Sequence, residues 1–203
     1  MKRGLMISFI GSDGSGKTTI INELPSYLKQ KGVDCEVVYY HWRPGFFIKK
    51  DVSTEGQRVL NPHEKAPYGI IKSFVKFMLI NIDYISGYFF KVKKETKEGK
   101  LVIFDRYYYD YYLDKLRYRL SLSDKIIKRF QFMIPKPDMT FLLVGTPEVL
   151  YERKKEVSVE EIASQVETMK RYKNIMSPSM LIDVDNPIDM VVDLIGSFIL
   201  SKQ

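Results

Sequence analysis

The sequence predicts an α/β fold, in which parallel strands alternate along the chain with helices that cover the sheet. Five apolar runs have the length of buried strands, and the longest segments between them repeat apolar residues every three or four positions, as helices do. A glycine-rich loop joins the first strand to the first helix. The expected strands are residues 5–10, 34–42, 101–105, 138–144 and 180–184, and the longest expected helices are residues 18–31, 67–97 and 187–201.

Length and composition indicate a single intracellular domain. A chain of 203 residues is large enough for a conventional hydrophobic core, so we expect one domain over residues 1–203. The only cysteine, Cys35, excludes an internal disulfide framework and is expected to pack inside the second strand. No signal-peptide pattern opens the chain. We therefore expect a cytoplasmic protein.

The formal net charge of +7 favours anionic partners. The basic residues are scattered, and the densest cluster, residues 91–100, contains acids and is typical of a solvated helix end. Polyphosphate ligands could account for several of these charges, and a nucleic-acid surface is the less favoured interpretation. Lys72, Lys76 and Asp83 interrupt the most apolar helix, which argues against a membrane span. We expect neither a nucleic-acid nor a membrane partner.

Residues 11–18, with the sequence GSDGSGKT, fill every fixed position of the phosphate-binding loop G-x-x-x-x-G-K-[ST]. Small residues let backbone N–H groups wrap a phosphate, and the dipole of the next helix adds to anion binding. We expect Lys17 to reach the β- and γ-phosphates of a nucleotide and Thr18 to ligate Mg²⁺. The alternative, a chance turn ending in an exposed lysine, is disfavoured by the strand-loop-helix order. The expected ligands of the nucleotide phosphates are Gly11, Ser12, Gly14, Ser15, Gly16, Lys17, Thr18 and Thr19.

Residues 41–45 end the second strand in a turn, at the edge where open α/β sheets bind ligands. Arg43 in this turn is either a phosphate clamp or a surface arginine beside a proline, and its sequence context leaves both open. The composition of residues 43–66 predicts a long mobile loop, and such a loop could close over a substrate. The two histidines, His41 and His63, lack neighbours at metal-ligand spacing and are expected to be structural or exposed.

The helix predicted for residues 67–97 carries apolar residues all along its length. We interpret it as a core helix with a face left over for a partner subunit, which would make a homodimer. The residues that recur at helical spacing are Ile71, Phe74, Val75, Met78, Ile82, Ile85 and Phe89.

The third strand ends in Asp105, followed directly by Arg106. A carboxylate at that position can hold a nucleotide's Mg²⁺ opposite Thr18, and the arginine can grip a phosphorylated second substrate. Residues 107–112 are mostly tyrosines, which either stack on that substrate or pack a helix start. We favour packing for Tyr108, Tyr111 and Tyr112.

Two further helices are expected from Pro147 and from Ser158, with residues 153–159 between them. This basic stretch is a candidate lid over the nucleotide. The alternative is an ordinary solvated helix end.

The order of these motifs resembles the thymidylate kinase-like branch of the P-loop nucleoside monophosphate kinases over nearly the full chain. Residues 11–19 are similar to the family's phosphate loop with its internal aspartate, and Arg43-Pro44-Gly45 resembles its Arg-x-Pro-Gly turn without the intervening residue. Residues 104–107 match its Asp-Arg-Tyr motif. Residues 147–153 match the approach to its lid.

The resemblance implies a doubly wound five-stranded parallel sheet, with ATP and Mg²⁺ as donor and a nucleoside monophosphate as acceptor. It places Asp13 near the acceptor sugar and the metal, Arg43 and Arg106 with Tyr107 at the acceptor, and Arg153 on adenine. Lys155 stands where the family often has an arginine and would neutralise the migrating phosphoryl group.

Three positions depart from the family pattern. Ile80 and Tyr84 occupy the places of the Phe and Arg that line the base pocket, tyrosines replace the residues after Asp-Arg-Tyr, and the lid is poor in arginine. Two alternatives therefore stay open: a kinase for a nucleoside or another phosphorylated small molecule, and an ATP-binding module without catalysis. A GTP-driven switch is excluded, because outside the phosphate-binding loop the sequence has no D-x-x-G after a strand, and it has no N-K-x-D.

Overall fold

The structure is a computed structural model that describes residues 3–45, 66–176 and 178–202. Five parallel strands form one sheet in the order β2-β3-β1-β4-β5. β1 lies at its centre and is buried along its whole length, as expected for a strand covered on both faces. The strands are β1 Leu5–Gly11, β2 Val37–Tyr40, β3 Leu101–Asp105, β4 Met139–Val144 and β5 Ser179–Asp183.

Helices cover the sheet, which confirms the predicted α/β class. A π-helical turn, Tyr88–Val92, joins α2 to α3 without a break in the helical path. Within the described residues the helices are α1 Lys17–Gln30, α2 Ile70–Gly87, α3 Lys93–Lys97, α4 Asp110–Leu113, α5 Asp124–Gln131, α6 Pro147–Arg153, α7 Val159–Tyr172 and α8 Ile188–Leu200. None of the helices described is long and apolar enough to cross a membrane.

The second strand is shorter than the predicted 34–42. Among the described strands, β2 lies at the edge of the sheet and pairs only with β3, and the first residue of β3, Leu101, lies opposite Val37. The chain before Val37 therefore has little to pair with, and Cys35 lies outside the strand, half-buried against the core. Burial raises the pKa of its thiol.

The tyrosine run after β3 packs the interior. Tyr107, Tyr108 and Tyr111 are at most 2 % exposed. Tyr108 meets Tyr111 edge to face, and Tyr107 and Tyr111 meet Tyr84 and Phe77 of α2 in the same way. Tyr112 is also buried, so the packing interpretation of Tyr108, Tyr111 and Tyr112 agrees with the structure. The predicted loop 43–66 falls almost entirely on residues 46–65, which lie outside the described residues.

The parallel register gathers the ends of three strands at one edge. Phe9 lies opposite Asp105, and Tyr40 lies opposite Phe104. The phosphate-binding loop after β1, the turn after β2 and Asp105-Arg106 at the end of β3 are therefore neighbours.

Candidate active site

A cavity of about 520 Å³ opens at this edge of the sheet. Five of its side chains are basic and three are acidic, so it suits a ligand of high negative charge. It is lined by Asp13, Gly14, Ser15, Gly16, Lys17, Thr18, Thr19, His41, Asp105, Arg106, Arg117, Arg153, Lys154 and Glu156. We refer to it as the phosphate cavity.

Lys17 is buried at the floor of this cavity. Its Nζ donates to the carbonyl oxygens of Gly11 at 2.7 Å and Ser12 at 2.9 Å, and to Ser15 Oγ at 3.3 Å. Burial and the nearby Arg106 charge lower the pKa of Lys17 to about 8. Keeping this ammonium charged therefore costs free energy when no anion is bound.

Two glycines of the phosphate-binding loop are required for different reasons. The motif suggests a role in phosphate binding, but it does not suggest packing against α6. Gly16 has φ 75°, a left-handed conformation that side-chain-bearing residues rarely adopt. A Cβ on Gly14 would lie 2.2 Å from the carbonyl oxygen of Leu150 in α6. Gly14 therefore lets the loop pack against α6 as well as against a phosphate.

The carboxylate of Asp105 is suited to bind a cation. Its Oδ2 accepts from the Tyr39 hydroxyl at 3.0 Å and lies 3.4 Å from His41 Nδ1. Oδ1 is buried without a hydrogen-bond partner among the described residues. Burial raises the pKa of Asp105, but His41 and Lys17 outweigh it, so the net shift is downward and the carboxylate stays charged. With the exposed Thr18 in the same cavity, this oxygen donor set fits Mg²⁺.

Arg106 is held in an unusual backbone conformation. Its φ is 75°, and its N–H donates to the carbonyl oxygen of Phe9 at 2.9 Å. Nη1 donates to both oxygens of Asp110, at 3.2 and 3.1 Å, and Nη2 donates to Asp13 at 3.1 Å. Backbone strain of this kind is typical of functional sites.

Asp13 lies between two guanidinium groups. Arg106 contacts Oδ1, Arg117 donates to Oδ2 at 2.7 Å, and Lys154 Nζ lies 3.9 Å away. Burial opposes ionisation, but Arg106, Arg117 and Lys17 prevail and lower the pKa of Asp13 to about 2. Asp13 therefore acts as an anion at a site where positive charge is in excess.

Arg43, the other expected phosphate ligand, does not line the phosphate cavity. Its Nη1 donates to Asp83 Oδ2 at 2.7 Å, and Asp83 is fully buried in α2. The same carboxylate accepts from the N–H of Gly45 at 3.1 Å. In the π turn, Lys91 Nζ donates to the carbonyl oxygens of Pro44 and Gly45. Side chains of α2 and of the π turn thus hold the turn of residues 43–45 in place by hydrogen bonds.

The expected base-pocket residues are both buried. Tyr84 is 1 % exposed, and its hydroxyl donates to the carbonyl oxygen of Trp42 at 2.8 Å. Ile80 is 3 % exposed and borders an apolar cavity of about 500 Å³ beside Trp42. Trp42 stacks on Tyr118, with ring centroids 4.6 Å apart. Tyr107 is likewise buried, and its hydroxyl donates to the carbonyl oxygen of Pro135.

A model of the thymidylate kinase family matches residues 77–195, which is more than half of the chain. The chain belongs to the thymidylate kinase family. A probable thymidylate kinase of Archaeoglobus fulgidus is 26 % identical over 97 % of this chain and 95 % of its own. One of Methanosarcina barkeri is 30 % identical over 74 % and 70 %, and a thymidylate kinase of Geobacillus sp. is 26 % identical over 93 % and 92 %.

Membership in the thymidylate kinase family confirms the resemblance read from the motifs and the doubly wound fold class. It also confirms the predicted class of enzyme, a nucleoside monophosphate kinase of the thymidylate kinase type. Nucleotides are accordingly its substrates.

In the predicted lid, residues 153–159, Lys154 rather than Lys155 lines the phosphate cavity. Arg153 ends α6, and its Nη1 donates to the carbonyl oxygen of Val184 at 2.9 Å. It borders a second cavity of about 210 Å³ beside the phosphate loop. Lys154 lines the phosphate cavity, whereas the exposed Lys155 pairs with Glu152 at 3.0 Å outside it.

Sequence reasoning missed Arg117, Lys154 and Asp83. Lys154 lies in the predicted lid and differs from Lys155 by one position, which only the end of α6 decides. Asp83 was visible as a charge on an apolar helix. Arg117 belongs to no motif, so the sequence carries no signal for it.

Proposed function

We propose that this protein transfers the γ-phosphate of Mg-ATP to a nucleoside monophosphate. The observation that carries the proposal is the convergence of the phosphate-binding loop with Asp105 and Arg106 on one cavity. Its excess of basic side chains suits a site where two phosphorylated substrates meet.

For the donor, the backbone of residues 11–16 and the ammonium of Lys17 would hold the ATP phosphates. The N-terminus of α1 adds its dipole. The cavity that Arg153 borders lies next to Gly16 and Thr19, so we assign it to adenine, with the guanidinium stacked on the ring.

For the metal, Asp105 and Thr18 would hold Mg²⁺, through the unpartnered Oδ1 and the exposed hydroxyl. When bound, Mg²⁺ neutralises charge on the β- and γ-phosphates. Tyr39 and His41 hold the other oxygen of Asp105 and so fix the direction of the free one.

The transfer itself needs no covalent intermediate on the protein. An oxygen of the acceptor phosphate bonds to the γ-phosphorus, and the bond to the oxygen shared with the β-phosphate breaks. ADP leaves with that electron pair, and a nucleoside diphosphate forms. Arg106 would hold the acceptor phosphate, Asp13 would lie by the acceptor sugar, and Lys17 with a lid lysine, Lys155 as predicted or Lys154, would stabilise the migrating group.

We propose that base choice is relaxed or altered relative to thymidylate kinases. An aliphatic Ile80 lacks the ring quadrupole that favours stacking. The Tyr84 hydroxyl is engaged by Trp42 and offers no fork of donors. A mainly apolar pocket discriminates by roughly 10- to 200-fold, whereas a hydrogen-bonding one reaches about 10⁴-fold.

We also propose a cytoplasmic homodimer. The exposed side of α2 carries Ile71, Val75, Leu79 and Ile82, each at least 48 % exposed. An apolar stripe of this length is typical of an interaction site, and a second copy of the chain would cover it.

The decisive experiment measures ADP release at matched concentrations of dTMP, dUMP, UMP, CMP, AMP, GMP and thymidine, with Lys17→Ala as the inactive control. We expect turnover of more than one monophosphate and none of thymidine. Exclusive turnover of dTMP would contradict the relaxed base choice. Turnover of thymidine alone would make the protein a nucleoside kinase, and no turnover at all would make it an ATP-binding module.

A further inference from the structure

We propose that Arg117 is the second guanidinium of the acceptor-phosphate site, acting beside Arg106. This inference rests on the proposed function and adds to it a residue that no motif identifies. Arg117 lies between α4 and α5, and its side chain lines the phosphate cavity.

The two guanidinium groups meet at one carboxylate. Arg106 Nη2 lies 3.1 Å from Asp13 Oδ1, and Arg117 Nη2 lies 2.7 Å from Oδ2. Asp13 is shared by the two guanidinium groups, and each group also pairs with a carboxylate of its own, Asp110 for Arg106 and Asp114 for Arg117. A phosphate monoester carries nearly two negative charges at neutral pH and accepts paired N–H bonds from guanidinium forks, so a phosphate beside Asp13 would bond to both guanidinium groups at once.

Arg117 is also fixed in place before any ligand binds. Asp114, whose side chain is 4 % exposed, accepts from the Arg117 backbone N–H and from Nε, both at 2.9 Å. Within the part of the chain that the structure describes, Nη1 of Arg117 donates no hydrogen bond, and its side chain is 24 % exposed. A guanidinium held by a carboxylate loses little freedom on binding, so its remaining donors are ready for an anion.

Arg43 is less well placed for the same task. Its guanidinium already donates to the buried Asp83 at 2.7 Å, and moving it to a phosphate would break that ion pair. Arg117 needs no such rearrangement, because Asp13 keeps Arg106 and Lys154 nearby. The geometry therefore favours Arg43 as the residue that fixes the turn of residues 43–45 and Arg117 as the residue that binds the acceptor phosphate.

The test compares Arg117→Ala and Arg117→Lys with the matched control Arg171→Ala, an exposed arginine of α7 paired with Glu167. Dissociation constants for ATP and for the best monophosphate of the panel are measured by calorimetry. We expect Arg117→Ala to weaken the monophosphate roughly 10- to 100-fold and ATP by less than about threefold. Arg117→Lys, which keeps the charge without the fork, should lie between, and Arg171→Ala should match the wild type.

The affinity for the matching nucleoside, which lacks the phosphate, distinguishes phosphate binding by Arg117 from a purely structural role exerted through Asp13. If Arg117 binds the phosphate, Arg117→Ala leaves the affinity for the nucleoside unchanged. Equal weakening of nucleoside and monophosphate would overturn the inference. If the wild type binds none of the monophosphates, the proposed function fails, and inorganic phosphate titrated into the protein saturated with Mg-ADP tests Arg117 by itself. Weaker phosphate binding by Arg117→Ala supports the inference, and equal binding refutes it.

Discussion

Arg106 combines a buried charge with a strained backbone, and two substitutions separate these contributions to stability. Arg106→Ala and Arg106→Gly both remove the guanidinium from Asp110, whose side chain is 1 % exposed. Tyr118 still donates to that carboxylate, but its charge is no longer compensated. Removing one partner of a buried ion pair costs about 3–5 kcal/mol, so both variants should lose that much.

The two variants should nevertheless differ from each other. Alanine at φ 75° pays about 1–2 kcal/mol for the left-handed conformation, which glycine avoids. Glycine loses more chain entropy on folding, which offsets about 0.4–1 kcal/mol of that gain. Arg106→Gly should therefore be the more stable variant by about 1 kcal/mol, or roughly 2–4 °C in Tm for a domain of this size.

Urea unfolding monitored by circular dichroism gives both differences, provided that the slope with denaturant is unchanged. The double variant Arg106→Ala, Asp110→Asn serves as the charge control and should recover more than half of the loss. A glycine variant no more stable than the alanine variant would show that position 106 is not strained. Failure of Asp110→Asn to recover stability would show that the cost does not come from the buried carboxylate.

Two other predictions follow from the donor site and from α2. Because the pKa of Lys17 is about 8 and bound phosphate favours its charged form, Mg-ATP affinity should be level below pH 7 and fall by up to about tenfold per unit above pH 8. Calorimetry from pH 6.5 to 9.5 checks this, and a flat profile for the wild type, like that expected of Lys17→Ala, would contradict it. Light scattering should give twice the chain mass of 23.8 kDa for the wild type and one chain mass for Leu79→Glu. Leu194→Glu, an equally exposed leucine on α8, is the control and should stay dimeric, and a monomeric wild type would refute the dimer.

Local patterns in the sequence were enough to predict the sheet and the phosphate-binding loop. The five strands are apolar runs whose burial depends on few partners, and the loop motif itself defines the positions of Lys17 and Thr18. The short helix α5 was not predicted, because an eight-residue segment shows only two turns of periodicity. The predicted helix 67–97 was correct in extent to within a few residues, but its π turn was not visible.

The contacts between distant residues could not be read from the sequence. Arg117 and Asp13 are 104 positions apart, and Arg43 and Asp83 are 40 apart. The pairing of Arg43 with Asp83 depends on where the turn after β2 crosses α2, and there Pro44 packs closely against Gly87. Residue type alone therefore predicted Arg43 as a phosphate ligand and gave no indication that Arg117 lines the phosphate cavity.

The π turn Tyr88–Val92 affects how this chain should be aligned with its relatives. A π turn accommodates one residue more than an α turn without breaking the helix, so residues on its two sides are offset by about 100° relative to an uninterrupted helix. The count back from Asp105 that predicts Ile80 and Tyr84 for the base pocket crosses this turn. For a relative whose helix lacks a π turn, an alignment with its gap in the loop before β3 would shift every α2 assignment by one residue. A gap inside the helix, at the π turn, keeps the assignments in register.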